Sequence, residues 1–536
     1  MNTFLKKTGI FFALITVLFI TACNDNLTEI TDFETERLFR PIGFQATMNK
    51  TEVTFKWVAV EEAVDYTLEI SEDTMFNAVA YSVTTTALQY VKELAGSTKY
   101  FARIKANASD PSKSSGFNAR LVFTTPSENL FVNYVSTMIA MNTIEVRWFP
   151  GANVTNLVLT VDDANPQSFN ITPAEAQAGH KIIGSLPNAN YRVQLKNEDI
   201  IRGSVNVLVE GDVLILPSQT LSAAISAAAP GQVLLLEPGG VYLTGTGTYR
   251  FDKDIKIRGI TPYNLPVLAM TPGGPSATSA MFGFIQDSQF NYLRFENVIL
   301  NGFTGNNSAN IKIGYIFNNN VKTTVGEVSF TNCVIRNFGN TPFRVQASTN
   351  QVFDLVKFDG CTIFDIGFTS TYAVVNSNSA DFINKIHILN STIYNFRGSL
   401  VLRQNQNFQE IVVRNCNINQ GMMDTGSSRL LIDTNNSNCL GAGIIIQNNI
   451  FGSSGDRAAG VRKWSPNGEL IVTGNYFTTD YIDQNPVGDV NFSQKSKMTP
   501  YSGTSTTLWN DPVNGDFNFR DVNFAGRGKA GDLRWK

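Results

Sequence analysis

Between residues 37 and 126 apolar and polar side chains alternate with a period of two. Val53, Phe55 and Trp57 share one face of "EVTFKWVAV", Tyr66, Leu68 and Ile70 one face of "DYTLEIS", and Tyr100, Ala102 and Ile104 one face of "KYFARIKA". Short alternating runs divided by turn residues predict a β-sandwich. Residues 127–210 repeat the plan more loosely, with Ile144, Val146 and Trp148, then Leu157, Leu159 and Val161, then Tyr191, Val193 and Leu195. At 218 the texture changes. "SQTLSAAISAAAPGQVLLLEPGGVYL" predicts a short amphipathic helix with Leu221, Ile225 and Ala228 on one face. Ser218 or Thr220 can cap its start and Pro230-Gly231 stops it. A buried strand follows at 233–236.

From about residue 291 one short pattern recurs: "FENVILNGF", "FTNCVIRNF", "FDGCTIFDI", "LNSTIYNFRG", "VRNCNINQG", "QNNIFGSSG" and "TGNYFTTD". Aligned on Asn297, Cys333, Cys361, Ser391, Cys416, Asn449 and Asn475, the copies are 36, 28, 30, 25, 33 and 26 residues apart. A drifting period with loops absorbing the drift is the signature of a solenoid. Alternation within each copy makes the solenoid one of short strands, stacked about 4.8 Å apart. Cys333, Cys361, Ser391 and Cys416 then form an inward ladder of small side chains, since buried free cysteine behaves as a small apolar residue. Asn297, Asn332, Asn390, Asn415 and Asn448 form a hydrogen-bonding row at the neighbouring turn. Rung spacing alone also permits a Cys333–Cys361 disulfide. Cysteine catalysis would need a histidine nearby. The fold class expected is all-β: two N-terminal sandwich modules followed by a parallel β-helix.

The early Trp and later Tyr on core strands of the first module resemble the fibronectin type III module, and the second reads as a divergent copy. The stretch from 218 resembles the opening of pectate-lyase-like right-handed β-helices, where a helix plugs the open end. The chain begins "MNTFLKKTGIFFALITVLFITAC". Two lysines followed by a short apolar run read as a signal peptide. Ile20-Thr21-Ala22-Cys23 looks like a bacterial lipobox, which implies a lipidated Cys23, stably anchored when it carries more than one acyl chain. The expected organisation is a signal peptide at 1–22, a lipidated tether at 23–36, sandwich modules at 37–126 and 127–215, a β-helix at 216–490 and a C-terminal cap at 491–536. The chain closes on "GDLRWK". This resembles the Gly-Asp-Pro-Arg-Trp ending of Gram-negative surface lipoproteins encoded with polysaccharide-utilisation systems, with Leu533 in place of the Pro. The resemblance implies an outer-membrane, cell-surface protein working in glycan capture beside other glycan-uptake proteins.

Charge narrows the chemistry. Lys and Arg number 42 against 45 Asp and Glu, and there is no basic stripe, so nucleic acid is not an expected partner. The chain has two histidines, His180 and His387, which argues against zinc and against a Ser-His-Asp triad. If apolar positions face inward, one sheet of the solenoid shows Arg344 and Gln346 in "PFRVQAS", Tyr372 and Asn376 in "TYAVVNS", and Arg403 and Gln404 in "SLVLRQN". It continues with Arg429 and Asp433, then Arg462 or Lys463 with Trp464. Guanidinium groups pair with carboxylates and aromatic faces suit sugar rings, so the set points to an acidic, pectin-like polysaccharide. The same residues would also serve as the solvated face of any solenoid. A second outward row is Lys357, His387 and Val412, with no carboxylate partner identifiable for His387. No cofactor is expected, except calcium if the protein is a polysaccharide lyase. Calcium needs six to eight oxygen ligands, whereas Asp354, Asp359, Asp365, Asp381, Glu410, Asp424 and Asp433 form no clear stack. The Asn-Thr-Asp, Asp-Asp, Gly-His-Gly and Arg-Ile-Lys motifs of polygalacturonase-type hydrolases do not occur in the solenoid. The expected function is a surface lipoprotein binding an acidic plant-type polysaccharide. The alternatives are a divergent pectate lyase and an adhesin or spacer.

Overall fold

The computed structural model describes residues 37–535 apart from 127, 133–136, 162–163, 347–348, 371, 378–381, 464–467 and 485–490. The expected signal peptide, Cys23 and tether lie outside the described residues, as do Asp381 and Trp464. Among the described residues no helix is long and apolar enough to cross a membrane. The chain forms two compact units, one of residues 37–129 with Lys196–Gly203 and one of the remainder.

In the first unit a three-stranded sheet (Gln45–Asn49, Glu52–Lys56, Gln89–Glu93) and a four-stranded sheet (Tyr81–Thr85, Asp65–Ser71, Lys99–Asn107, Leu121–Thr124) enclose one core. That core is built from the alternating triplets at 53–57, 66–70 and 100–104. Tyr100 Oη accepts from the Ala95 N–H at 3.2 Å, pinning the strand's start to the preceding loop. The second sandwich repeats the layout, with His180–Ile183, Thr143–Arg147 and Thr137–Ala140 facing Ala164–Asn170, Asn156–Val161, Ala189–Asn197 and Ile200–Val209. Its core takes Ile144, Val146, Trp148, Leu157, Leu159, Tyr191, Val193 and Leu195, while Val161 packs at the edge. Both are fibronectin type III-like sandwiches.

Three parallel sheets make the solenoid. Sheet one has ten strands from Val213–Ile215 to Glu469–Thr473, sheet two has ten from Val241–Leu243 to Thr499–Pro500, and sheet three has nine from Tyr249–Phe251 to Asn491–Phe492. The last strand of sheet three pairs antiparallel. Val213–Ile215 pairs in parallel with Val233–Leu236, so the solenoid begins ahead of residue 216. Helix Leu221–Ala227 buries Leu221 and Ile225 in the solenoid core; Thr220 is its N-cap residue, without a side-chain cap hydrogen bond. Strand Val233–Leu236 is apolar at every position because both its faces are covered. Leu234 and Leu236 enter the solenoid core, while Val233 and Leu235 share a core with Ile144 and Trp148 of the second sandwich. Gly211 permits this approach, since a Cβ there would lie 2.2 Å from Leu235 Cδ1.

After sheet one each coil turns through a left-handed residue: Asn297, Asn332, Gly360, Asn390, Asn415, Asn448 and Gly474. Asn and Gly adopt this conformation at least cost. The next residue points inward, giving a buried ladder of Val298, Cys333, Cys361, Ser391, Cys416, Asn449 and Asn475. Asn297 therefore belongs only to the turn row, and Val298 holds its place in the ladder. Cys333, Cys361 and Cys416 donate their thiols to the carbonyls of Phe295, Phe330 and Ile388 at 3.4, 3.3 and 3.4 Å. All three are free thiols, so the disulfide allowed by rung spacing does not form. The structural reason for the cysteines is this hydrogen bond within an apolar stack: Phe295, Phe330 and Phe358 stack beside them with ring centroids 5.3 and 4.8 Å apart.

The C-terminal segment does not close the last coil. Residues 501–535 run back along the outside of sheet two, where Leu508, Trp509, Phe517 and Phe524 cover Tyr394 and Ile450. The final residues latch onto earlier coils. Gly531 N–H donates to Asn448 O at 2.8 Å, Asp532 accepts from Thr392 Oγ1 at 2.7 Å, Arg534 Nη2 donates to Cys361 O at 2.9 Å, and Trp535 Nε1 donates to Thr392 Oγ1 at 2.7 Å. Leu533 between them is exposed.

Candidate functional site

Alternation in sheet three sends Phe317, Phe343, Val375, Val401, Ile432 and Val461 into the core. Their neighbours Asn318, Arg344, Asn376, Leu402, Asp433 and Arg462 stand in register as one outward row. Asn318 was legible in "YIFNNN" by the same parity that exposes Arg344, but it carries no charge to draw notice.

Three neighbouring rungs of this row hold unsatisfied polar atoms. Among the described residues Asn318 Oδ1, Arg344 Nε and Asn376 Nδ2 are each buried from solvent without a hydrogen-bond partner, although such atoms are nearly always paired. The Arg344 guanidinium lies 4.1 Å from the centroid of Tyr372 and 5.9 Å from that of Tyr315, and its Nη1 donates to Tyr315 Oη at 3.3 Å. The Asn376 side chain is turned by its Oδ1, which accepts from the Ala373 N–H at 3.2 Å and leaves the amide nitrogen open. The loops entering these strands add Phe303 and Phe368, with Lys312 Nζ 5.1 and 5.8 Å from their rings.

Arg403 is a correction. It is fully buried and points inward, donating to the carbonyls of Ile383, Gln404 and Asn407 at 3.2, 3.1 and 2.8 Å. Leu400, Val401 and Leu402 are all apolar, so the alternation around them does not reveal its parity; the outward residue is Leu402. The interior accepts a guanidinium here because the irregular turn after the strand presents carbonyls that need donors. Gln404 does face outward, and its Nε2 donates to Asp433 at 2.6 Å. Gln346 is half-buried beside the row, its N–H bound to Asn319 O at 2.8 Å.

Farther along the row the charges are closed. Asp433 is held by Arg462 through Nε at 2.8 Å and Nη2 at 2.6 Å, in addition to Gln404. Arg429 and Arg397 both reach Asp424, at 2.7 and 3.6 Å. Burial alone would raise the Asp424 carboxyl, but the Gly426 N–H and Arg429 outweigh it and hold it below the usual carboxylate range. The other acidic candidates are also engaged apart from one another, Asp354 by Asn384 and Lys385, Asp359 by Asn390, and Asp365 by Asn395. Among the described residues no three His, Cys, Asp or Glu side chains gather as a metal site.

On sheet one the register confirms the row of Lys357, His387 and Val412. His387 does have a carboxylate partner: its Nε2 lies 2.7 Å from Glu410 Oε1. The two are offset along neighbouring strands, a diagonal contact that residue spacing does not reveal. A cleft of about 280 Å³ on the same sheet is lined by Lys256, Arg294, Glu296, Glu327, Ser329 and Lys357. Burial would raise Glu327, but Arg294 and Ser329 overcome it and lower its pKa.

Residues 411–535, the last coils and the tail, match the family model "Domain of unknown function (DUF5123)". No curated protein matches the chain. Among solved structures, the chain is similar to a two-domain fibronectin type III segment of chicken tenascin at 12% identity, covering 31% of this chain and 97% of that one, with a TM-score of 0.16. It is also similar to the FN1–FN3 domains of chicken CNTN1 at 16% identity, covering 32% and 66%, with a TM-score of 0.14. At such scores the likeness adds nothing to the fold read from the strand order.

Proposed function

We propose that this chain is a cell-surface glycan-binding protein whose binding face is the outer side of sheet three. The observation that carries the reading is the run of open polar atoms on Asn318, Arg344 and Asn376 beside Tyr315 and Tyr372. Unsatisfied buried donors and acceptors are costly, and hydroxyls or a carboxylate of a bound sugar would satisfy them while its apolar face lies on a tyrosine ring. In this reading Cys23 carries the lipid, residues 23–36 tether the protein to the outer membrane, and the two sandwiches present the solenoid to glycan and to other glycan-uptake proteins. An acidic polysaccharide is the preferred ligand because Arg344 has no carboxylate partner among the described residues.

Affinity gels cast with neutral and acidic polysaccharides test this. Wild-type protein should be retarded by at least one of them and Tyr372→Ala much less so. Equal mobility in every gel would refute the binding reading and leave the adhesin or spacer role. Absorbance of unsaturated products, scored in the same incubations, tests the lyase alternative.

A further inference from the structure

We infer that the glycan recognised on sheet three carries isolated acidic sugars among neutral ones, rather than a carboxylate on every residue. This rests on the glycan-binding reading above and refines its ligand.

The charge order of one row favours such a ligand. Rungs lie about 4.8 Å apart, the scale of one sugar in an extended chain crossing the coils. In register the row reads Asn318, Arg344, Asn376, Leu402, Asp433, Arg462. Among the described residues Arg344 makes no ion pair and its buried Nε has no partner, and the likewise unpartnered Nδ2 of Asn376 on the next rung supplies a second donor. Together they can hold one carboxylate. The rung on the other side offers the open acceptor Asn318 Oδ1, which suits a sugar hydroxyl and disfavours a carboxylate. Leu402, two rungs from Arg344, has no donor to give. Asp433 beyond it is already satisfied by Arg462 and Gln404, so a second ligand carboxylate there would meet an ion pair already made rather than a cation in need of one. A uniformly charged chain would thus gain one favourable contact and lose solvation at the Leu402 and Asp433 rungs, the pairing of attraction with rejection by which specificity arises. The interior placement of Arg403 and the pairing of Arg462 with Asp433 are together decisive, because they leave Arg344 as the row's one guanidinium without a carboxylate among the described residues.

The test uses the full chain and three soluble probes: gellan, with one glucuronate per repeat among neutral sugars; carboxyl-reduced gellan; and polygalacturonate. Gellan should bind best. Carboxyl reduction or Arg344→Gln should each weaken binding about ten- to hundredfold, the worth of a charge-assisted hydrogen bond, and the two together no further. Leu402→Lys places a cation where the row has none and should raise affinity for polygalacturonate while leaving thermal unfolding unchanged. This gain keeps the test informative if Arg344→Gln folds poorly. Polygalacturonate binding wild type as tightly as gellan, or reduced gellan binding as well as native gellan, would overturn the inference while leaving a glycan-binding face intact. Retention of none of the three, with Leu402→Lys equally inert, would overturn both readings.

Discussion

Arg403 and the ladder cysteines show what burial does to residues that look chemical in a sequence. Arg403 serves three carbonyls rather than a ligand. Arg403→Met keeps most of the volume and strands those acceptors, so urea unfolding should show a loss of about 3 kcal/mol, with glycan affinity of the folded protein unchanged. Intact stability with lost binding would return Arg403 to the binding face. The cysteines titrate in a way that can be measured. Burial pushes the Cys333 and Cys416 thiols well above their ordinary value. The folded chain therefore holds protons that the unfolded chain releases above about pH 8.5. The stability they contribute is complete below that pH and is lost as pH rises toward the folded-state values. Melting temperature should fall on the alkaline side, less steeply in Cys333→Ser/Cys416→Ser, and a thiol reagent should label native protein only as it unfolds.

The left-handed turn after sheet one is the element that repeats. Asn390 and Asn415 hold it, and Asn415 Nδ2 donates to Asn390 Oδ1 at 2.9 Å along the row. Gly360 occupies the equivalent turn one rung before Asn390, where a Cβ would lie 2.3 Å from Asn332 Oδ1. Two kinds of residue thus solve one backbone problem, and substitution separates their reasons. Asn390→Gly keeps the conformation and loses only the side-chain bonds to Asn415 and Asp359. Asn390→Ala adds left-handed strain of about 1–2 kcal/mol and should melt at the lower temperature of the two. Gly360→Ala should cost more than either, because it adds a clash to the strain. An Asn390→Ala protein as stable as Asn390→Gly would show that the turn relaxes without penalty.

At the scale of the molecule, the tail is the feature that converts a stack of coils into a closed surface. Outward aromatic residues of sheet two, Phe364, Tyr394 and Tyr476, would be exposed without it; they pack against the cluster of Trp509, Phe517 and Phe524. Arg534 and Trp535 fasten the end to the Cys361 and Thr392 rungs. Deleting residues 501–536 should expose this apolar patch, and a protein that is still folded should bind an apolar dye and associate. Trp535→Ala alone should lower stability by about 2 kcal/mol through lost packing and the bond to Thr392, with circular dichroism of the sheets unchanged below the melt. Unchanged melting in both variants would make the tail an ornament rather than a latch.

Period and alternation were enough to determine the two sandwich cores, the stack of coils and the inward ladder, because most residues buried in a strand are apolar or small. The same rule assigned Arg344 to the outside, between inward Phe343 and Val345. It could not assign Arg403, since a run of three apolar residues before it hides the parity and the carbonyls that hold it come from an adjacent coil and the following turn. Nor could it show that Asp433 closes Arg462, that Glu410 reaches His387, or that the terminal Asp532, Arg534 and Trp535 return to rungs far earlier in the chain. Those pairings join residues whose distance in space is set by stacking and by folding back. Burial preference is a property of one position, and the sequence displays it; partnership is a property of two, and here only the tertiary structure decided it.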